Sequence, residues 1–329
     1  MKVVPFLIAA LLLVGKQDTP PAPEFAAWLD DAIAEARTRG FDEDLISRTL
    51  VGLEPLPRVV ASDRSQAELT LTLERYLSSR VTEPMVRRGR EMGRMHASLL
   101  ERLEHSYGVP RQYLLSIWGV ESRFGRLIGR TPVFQALATL AWEPRRSEFF
   151  RGQLFDAMQM AARGDIEPAR MTGSWAGAMG QTQFMPSSYL QYAVDYDGDG
   201  RRDIWSSTPD ALASIANYLK GYGWEPGETW GREVRVNDAV RGALTSLPQR
   251  GMGCYAIRTM TTPQSLDQWG EMGVRRVDGS ALPVAPVQAG LAMVGDRAFL
   301  LYGNYDAILG YNCAHFYALS VAMLADRLR

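Results

Sequence analysis

The sequence predicts a mainly α-helical protein with a small β insert, an α+β fold. Apolar residues recur at helical spacing over most of the chain, as at Phe25, Trp28, Leu29 and Ile33. Only residues 228–302 change to short alternating runs separated by Gly, Pro and Asp, which are typical of strands and turns. With 329 residues and 46% hydrophobic content, the chain can bury a substantial core and hold two or three subdomains.

Residues 1–23 are predicted to be a signal or anchor sequence followed by a linker. Lys2 precedes an apolar run over residues 3–14, which is typical of a signal sequence and short for a membrane span. No clear small-residue cleavage site follows, and no cysteine is placed to accept a lipid, so an uncleaved N-terminal anchor stays open. The proline-rich residues 19–23 are expected to link this segment to the domain. We therefore expect a periplasmic protein, soluble or N-terminally anchored.

The rest of the chain divides into four predicted segments. Residues 24–106 form a helical N-terminal lobe, and residues 107–227 form a helical core that contains a glycine-rich motif and an acidic loop. Residues 228–302 form the strand-rich insert. Residues 303–329 form a C-terminal helix that packs back on the core.

A carboxylate lies on the apolar side of one predicted core helix. Glu121 continues the i, i+4, i+7 spacing of Leu114 and Trp118, so its side chain should face the interior. Pro110 in the first turn and Gly125 at the stop are expected to bound this helix. A carboxyl among apolar groups resists ionisation, as suits a general acid that protonates a leaving glycosidic oxygen. The alternative is a structural acid paired with a neighbouring arginine, or one that turns to solvent.

A motif of small, amide and aromatic residues covers residues 174–186. Its glycines allow close backbone approach, while Ser174, Gln181 and Gln183 supply neutral hydrogen-bonding groups. Aromatic faces such as that of Trp175 lie beside them in the sequence. This combination suits an uncharged polyhydroxy ligand better than a phosphate. The alternative is a tight helix–helix contact built from small residues.

An acidic loop matches the first half of an EF-hand calcium loop, with oxygen ligands at positions 1, 3 and 5 and glycine at position 6. The ligands at these positions are Asp195, Asp197 and Asp199. Position 12 is Ser206, which cannot supply a bidentate carboxylate, so either Asp210 closes a longer loop or calcium binds weakly. The Arg201 carbonyl is expected to be a backbone ligand, and Asp203 is a further candidate. The alternative is a solvated Asp/Gly turn.

Charge and cysteine content exclude some classes and leave one question open. A formal charge of −1 gives no electrostatic attraction to nucleic acid. The three histidines are scattered and suggest no zinc site, and no phosphate-binding loop or serine-nucleophile motif is present. Cys254 and Cys313 are an even count in a chain expected to be exported, so a disulfide and a buried free thiol both stay open.

Several parts of the sequence resemble the membrane-bound lytic murein transglycosylase B family. They are Glu121 with its flanking residues 119–125, the 174–186 motif, the acidic loop, and the pair Tyr311 and Asn312. The resemblance extends from about residue 76 to the C terminus and implies a lysozyme-like helical core. It also implies cleavage of the MurNAc–GlcNAc bond of peptidoglycan without water. One glutamate acts first as acid and then as base, while the sugar's own 6-hydroxyl attacks the anomeric carbon and leaves a 1,6-anhydromuramoyl end.

The resemblance further implies residue roles, with Glu121 as the acid and base. The implied substrate contacts are Ser174, Gln183, Tyr218, Tyr311, Asn312, Tyr317, Arg145 and Arg146. Among them, the arginine pair would suit the lactyl or peptide carboxylates of muropeptides. The chain departs from the family pattern at Gln181 and Thr182, where some members carry tyrosine and glycine.

Two other functions stay open on the sequence. A muramidase hydrolase on the same fold would need a second carboxylate, for which Glu143, Glu148 and Asp156 are candidates. A non-catalytic wall-binding scaffold would have no need for an acid on an apolar stripe. We expect structural calcium, glycan strands of peptidoglycan as the partner, no nucleic acid and a monomer. Peripheral or N-terminal membrane association stays open.

Overall fold

A computed structural model of the protein describes residues 24–64, 71–244 and 246–329. The predicted signal or anchor sequence and its linker lie outside these residues. The described helices are α1 (Phe25–Thr38), α2 (Glu43–Thr49), α3 (Pro57–Arg64), α4 (Leu73–Arg80), α5 (Glu83–Met95), α6 (Ala97–Tyr107), α7 (Arg111–Ser122), α8 (Val133–Trp142), α9 (Ser147–Ala162), α10 (Pro186–Tyr192), α11 (Thr208–Gly221), α12 (Asp238–Ala243), α13 (Tyr255–Arg258), α14 (Leu266–Glu271), α15 (Gly303–Tyr311) and α16 (His315–Leu328). The described strands are β1 (Thr131–Pro132), β2 (Thr172–Gly173), β3 (Gly231–Arg235), β4 (Gln264–Ser265), β5 (Arg275–Arg276), β6 (Gln288–Val294) and β7 (Arg297–Leu301). This composition confirms the predicted α+β class.

Short polar side chains start several N-terminal helices. The Asp42 carboxylate accepts the Leu45 N–H at 2.7 Å at the start of α2. Thr72 and Thr82 cap α4 and α5 in the same way. Each cap satisfies a backbone donor that the first helical turn leaves unpaired, which stabilises the helix by about 1 kcal/mol.

The helices pack into two hydrophobic cores. In the first, which we call the α7 core, α4, α5 and α6 pack around α7 together with α11 and α16. In the second, the α8 core, α1, α2 and α3 pack against α8 and α9. The two halves of residues 24–106 therefore contribute to different cores. The 174–186 motif contributes Met179 and Phe184 to the α8 core.

Helix α7 is buried on almost every side. Every residue from Tyr113 to Val120 is buried, because α5, α11 and α16 all pack against it. The helix ends at Ser122, three residues before the predicted stop at Gly125. It ends there because Arg123 and Phe124 adopt left-handed conformations with φ of 49° and 60°.

The insert forms a five-stranded antiparallel sheet with strand order β4-β6-β7-β3-β5. Pairs such as Val234 with Ala298 set the register of its central strands. Trp269 of α14 packs on the sheet and donates its indole N–H to the Ala289 carbonyl at 2.8 Å. A disulfide joins Cys254 to Cys313, so the free-thiol alternative is wrong. The disulfide ties the insert to the loop that precedes α16.

The C-terminal segment contains two helices where one was predicted. The helix is interrupted between Tyr311 and His315, and the direction of α16 is bent by 116° from that of α15. The break occurs at Asn312, whose backbone is extended (φ −149°, ψ 117°), and the next residue is in the disulfide. Within the described ranges no single helix is long and apolar enough to cross a membrane; only this bent pair meets the test, by length and composition.

Candidate active site

Glu121 lies in the last turn of α7 and is half-buried, whereas most of the helix is fully buried. The predicted inward stripe is therefore correct for Leu114 and Trp118, and Glu121 stands where this buried helix reaches the surface. Two tyrosines adjoin it. Burial, followed by the negative charge of Glu121, raises the pKa values of Tyr311 and Tyr317 well above the usual value. Both phenols consequently keep their protons beside the carboxyl.

The Tyr317 hydroxyl is directed to Glu121. Its side chain interacts with the Glu121 carboxyl, yet the buried hydroxyl has no hydrogen-bond partner of regular geometry among the described residues. The Tyr311 hydroxyl instead donates to the Thr182 carbonyl at 2.7 Å. Tyr311 is thereby held against the 174–186 motif, and Tyr317 is left to face the acid.

An aromatic wall continues from these tyrosines. The Tyr218 ring lies 4.6 Å from Tyr311 and 5.3 Å from Phe184, and its hydroxyl donates to the Gly310 carbonyl at 2.6 Å. Tyr192 and Tyr222 extend the wall at 4.6 Å each from Tyr218, and the sequence analysis missed both. Tyr218 is only 4% exposed, so it supports the wall more than it forms its surface. The four-residue spacing between Tyr218 and Tyr222 was a signal in the sequence for Tyr222.

The 174–186 motif is a compact turn, and the alternative of a helix–helix contact is wrong. Isolated β-bridges pair Gly173 with Met179 and Met179 with Phe184, and α10 begins only at Pro186. The Ser174 hydroxyl accepts the backbone N–H of Ala178 at 3.1 Å. Ser174 therefore fixes the turn and is half-buried.

Gln183 is held in a strained position. Its φ is 53°, and its amide nitrogen donates to the Gly180 carbonyl at 2.9 Å and to the Ile128 carbonyl at 3.3 Å. Non-glycine residues in left-handed conformations cost free energy and concentrate at functional sites. In the described part of the chain the three such residues are Arg123, Phe124 and Gln183, all next to this site.

Gln181, where the chain departs from the family pattern, has a structural role. Its amide oxygen accepts the Trp118 indole N–H at 2.9 Å, and its amide nitrogen donates to the Trp205 carbonyl at 3.2 Å. Gln181 thus joins α7 to the acidic loop. Gly125 permits this, because a Cβ there would lie 2.6 Å from the Gln181 amide oxygen.

The contacts described here do not link the side chains of Asn312, Arg145 or Arg146 to Glu121. Asn312 is exposed in the break between α15 and α16. Arg145 and Arg146 both form ion pairs with Asp63, which is 4% exposed. Burial alone would raise the pKa of Asp63, but hydrogen bonds from the two arginines hold it below the usual value. No pattern in the sequence indicated Asp63 as their partner.

The carboxylates considered for a hydrolase lie among other elements. Glu143 forms an ion pair with Arg64 of α3. Burial raises the pKa of Asp156, which faces Arg39 after α1. Glu148 is in the first turn of α9, which contributes to the α8 core. The contacts described here link none of the three to Glu121.

The acidic loop brings three carboxylates together. Oxygen atoms of Asp195, Asp197 and Asp210 lie within 4.8 Å of one another. Asp210 is fully buried and accepts backbone N–H groups from Tyr196 and Asp203 at 2.8 Å each. Burial, together with the negative charge of Asp197, raises its pKa.

Asp199 and Arg201 lie outside this carboxylate group. The Asp199 carboxylate accepts the Arg201 N–H at 2.8 Å, and Asp203 accepts N–H groups from Trp205 and Ser206. Ser206 therefore closes a local turn around Asp203. Hard oxygen ligands at this spacing, one of them a buried carboxylate, fit a calcium ion.

Comparisons with known proteins identify the family of the chain. The Transglycosylase SLT domain family matches residues 24–326. The membrane-bound lytic murein transglycosylase B of Escherichia coli (strain K12) is 33% identical over 304 residues, which cover 87% of this chain and 78% of that protein.

Two solved structures are also similar. SltB3 from Pseudomonas aeruginosa, in complex with NAG-anhNAM-pentapeptide, is 41% identical with a TM-score of 0.83, covering 92% of this chain and 79% of that chain. The Escherichia coli lytic transglycosylase Slt35, in complex with calcium, is 31% identical with a TM-score of 0.76, covering 94% of each chain. The chain therefore belongs to the Transglycosylase SLT domain family and is a peptidoglycan lytic transglycosylase with a lysozyme-like fold.

Proposed function

We propose that Glu121 alone serves as acid and then base, cleaving the MurNAc–GlcNAc bond and leaving a 1,6-anhydromuramoyl end. The observation that carries this proposal is the position of Glu121, half-buried at the end of α7 with the protonated Tyr311 and Tyr317 beside it. A carboxylic acid in such surroundings can protonate the leaving GlcNAc oxygen. The resulting carboxylate can then accept the proton of the muramoyl 6-hydroxyl as that oxygen attacks the anomeric carbon.

The proposed outcome requires the internal hydroxyl to react faster than water. A well-oriented intramolecular nucleophile can have an effective molarity of about 10⁵ M or above, which exceeds the concentration of water. We propose that neutral groups at Ser174, Gln183 and Asn312 orient the muramoyl ring. The fixed turn around Ser174 and the strained Gln183 support this role, because both are held rigidly before substrate binds.

Further substrate contacts are proposed along the groove. Tyr311 and Tyr317 would adjoin the catalytic subsite, with Tyr218 behind them. Arg145 and Arg146 would approach the lactyl or peptide carboxylates, with Asp63 setting their orientation. Their partly exposed side chains support a contact with substrate.

A structural calcium ion is proposed in the acidic loop. Asp195, Asp197 and Asp210 would supply carboxylate ligands, with Asp199 and the Arg201 carbonyl as further candidates. When bound, the ion would neutralise the loop and hold it against α11. The Gln181 bridge would carry that order to α7.

The proposed setting is the periplasm. A relative that is membrane-bound and acts on murein supports a cell-wall location, and we propose an exported monomer that meets glycan strands of peptidoglycan there. N-terminal membrane association fits the apolar sequence of residues 3–14.

Mass spectrometry of the products from purified sacculi tests the chemistry. The expected muropeptides have the mass of reducing products less one water. Ser174→Ala and Asn312→Ala should lower turnover and raise the share of reducing ends, since a loosened ring lets water compete. Reducing ends from the wild type would show hydrolysis, and unchanged rate and product ratio in both variants would remove these residues from the orienting role.

A further inference from the structure

Helix α16 carries Tyr317, yet its first turn has no side-chain cap. Ala314 occupies the N-cap position, and its methyl group cannot accept the backbone N–H groups that a first helical turn leaves unpaired. The backbone of Asn312 just before it is extended, so α16 does not continue α15. A helix start of this kind opens readily unless other contacts hold it. The position of Tyr317 in the first turn therefore depends on contacts from outside the helix.

Downstream of Tyr317, α16 is fixed to the helix that carries the proposed acid. The Ser116 hydroxyl of α7 donates to the Val321 carbonyl at 2.5 Å, and both residues are fully buried. Ser116 precedes Glu121 on α7, and Val321 follows Tyr317 on α16 by about one helical turn. This hydrogen bond sets the register of α16 against α7. Tyr317 is thus held on one side, and the contacts at the start of α16 decide how firmly it is held on the other.

His315, the first residue of α16, supplies such a contact. Its Nε2 lies 3.0 Å from the Thr259 hydroxyl, and its Nδ1 lies 3.0 Å from the Tyr305 hydroxyl. The Thr259 hydroxyl donates its own proton to the Ala256 carbonyl at 2.8 Å, so its oxygen accepts the Nε2 proton. Nδ1 then has no proton and accepts the Tyr305 hydroxyl. His315 is thus joined to the insert through one ring nitrogen and to α15 through the other.

The imidazole ring of His315 is kept neutral by its surroundings. Burial lowers the pKa of His315 to about 4, although the Ala256 carbonyl acts to raise it. Tyr305 is fully buried, and burial, followed by the negative charge of Asp306, raises the pKa of its phenol well above the usual value. Because neither group changes its charge near neutral pH, the two hydrogen bonds keep the same donors and acceptors there. The imidazole is therefore a fixed support for the start of α16.

The segment of the insert that bonds to His315 is also attached elsewhere to the break between α15 and α16. Helix α13 begins after Cys254, which forms the disulfide with Cys313, and ends before Thr259. Both ends of this short helix are thus tied to the chain around the N-cap of α16. In addition, Arg250 forms a two-armed ion pair with Asp306 of α15, at 2.9 and 2.6 Å. A covalent, an ionic and a hydrogen-bonded link therefore join the insert to this break.

We propose that His315 is a positioning residue for catalysis and that it acts through Tyr317. With its ring held by Thr259 and Tyr305, the first turn of α16 keeps the Tyr317 hydroxyl against Glu121. This inference rests on the proposed function, because it assumes that the Tyr317 hydroxyl serves the Glu121 carboxylate. It also gives the insert a role, that of a brace that stiffens one side of the active site.

A double-mutant cycle on the cleavage of soluble glycan strands tests the proposal. His315→Ala should lower kcat roughly tenfold and change KM less than about twofold, because a loosened tyrosine affects proton transfer more than glycan binding. In the Tyr317→Phe background, which lacks the hydroxyl, the same change should cost less than about twofold in kcat. His315→Asn should restore most of kcat, since its side-chain oxygen can replace Nδ1 as the acceptor of the Tyr305 hydroxyl. The matched control is His105→Ala, at an exposed position of α6, which should leave kcat unchanged.

Either of two results would overturn the proposal. The first is wild-type kcat in the His315→Ala variant. The second is an equal fold-loss of kcat in the wild-type and Tyr317→Phe backgrounds, which would mean that the histidine stabilises the fold without acting through the tyrosine. If His315→Ala does not fold, Tyr305→Phe takes its place in the same cycle, because it removes the hydroxyl and leaves the buried ring in the core. The same two results then decide.

Amide hydrogen exchange separates this inference from the proposed function, because it requires no catalysis. The Ala318 N–H donates to the Ala314 carbonyl at 3.0 Å and closes the first turn of α16. In His315→Ala or Tyr305→Phe this amide should exchange roughly tenfold faster than in the wild type, while that of Ala325, late in the same helix, should be unchanged. Wild-type exchange at Ala318 would refute the brace. If the wild-type enzyme releases reducing ends, the proposed function fails, and the exchange rates still decide whether His315 holds the helix.

Discussion

Two phenol groups flank Glu121, and they differ in how their protons are used. Tyr311 donates its proton to the Thr182 carbonyl, whereas the Tyr317 hydroxyl has Glu121 as its neighbour and no regular partner. Because burial and the charge of Glu121 raise the pKa values of both, neither ionises in the working pH range. We propose that Tyr317 donates a hydrogen bond to the carboxylate that forms after the first proton transfer.

Tyr317→Phe separates that role from packing. Turnover should fall roughly 10- to 100-fold, as expected for one hydrogen bond to a charged group, while the melting temperature stays within a few degrees. Stability is spared because the hydroxyl has no regular partner to lose. Tyr113→Phe is the matched control: it removes a buried hydroxyl from the other end of α7 and should leave turnover unchanged. Equal turnover in both variants would contradict the assignment.

Asp63 gives a prediction about stability and pH. Asp63→Asn should lower the free energy of unfolding at pH 7 by about 1–3 kcal/mol, because Arg145 and Arg146 lose a buried ionic partner. The folded-state pKa is depressed, so this stabilisation is present above the unfolded value near pH 4 and is lost as pH falls through the folded value. Denaturant unfolding at pH 7 and pH 3 checks it. If the difference in unfolding free energy between wild type and Asp63→Asn is as large at pH 3 as at pH 7, the ion pairs are not its cause.

Single residues were predictable where their chemistry is local in sequence. Helical spacing was enough to bring Glu121 to attention, because Leu114 and Trp118 precede it on the same stripe of one helix. The partner of Arg145 is 82 residues distant, and Gln181 bonds to an indole 63 residues away. Such pairs depend on how helices pack, and no periodic pattern encodes that.

At the scale of elements, the acidic loop and the 174–186 motif act as one unit through Gln181. The amide side chain joins the Trp205 carbonyl to the Trp118 indole. Gln181 therefore connects the acidic loop to α7, the helix that carries Glu121. The sequence predicted the loop from its Asp and Gly spacing and named Asp210 as the residue that closes it. Asp199 lies outside the clustered carboxylates, and its carboxylate instead accepts the Arg201 N–H.

Calcium should stabilise the folded protein. A ligand that binds only the folded state adds about 2.7 kcal/mol at 100 times its dissociation constant, so the melting temperature should rise from chelator to millimolar calcium. Asp195→Asn should reduce this rise, while Asp278→Asn, in an exposed turn of the insert, should not. Melting curves that are identical with chelator and calcium would mean that the loop is an ordinary acidic turn.

For the whole molecule, the site lies where two hydrophobic cores meet. Glu121 is on a helix of the α7 core, the 174–186 motif contributes to the α8 core, and Tyr311 packs against both. The sequence predicted the helices of both cores, but their division was not predictable, since apolar periodicity does not specify which helix faces which.

The Cys254–Cys313 disulfide links the insert to this arrangement. It closes a loop with a sequence separation of 59 and anchors the residue after Asn312. Cys254→Ala/Cys313→Ala should therefore lower stability by up to about 4 kcal/mol and raise KM, because the segment between α15 and α16 gains freedom. Thermal melting and steady-state kinetics check the two effects. Wild-type KM in a destabilised variant would limit the disulfide to a stabilising role.

We propose that Glu121 alone carries both proton transfers. The direct measurement is turnover of purified sacculi by Glu121→Gln beside Glu148→Gln, which alters a carboxylate considered for a hydrolase. The substitution keeps shape and much of the hydrogen bonding but removes the transferable proton, so Glu121→Gln should lose roughly 10²–10⁴ in rate with its melting temperature nearly unchanged, and Glu148→Gln should keep wild-type turnover. Retention of more than about a tenth of wild-type turnover by Glu121→Gln would contradict the role of Glu121 as acid and base.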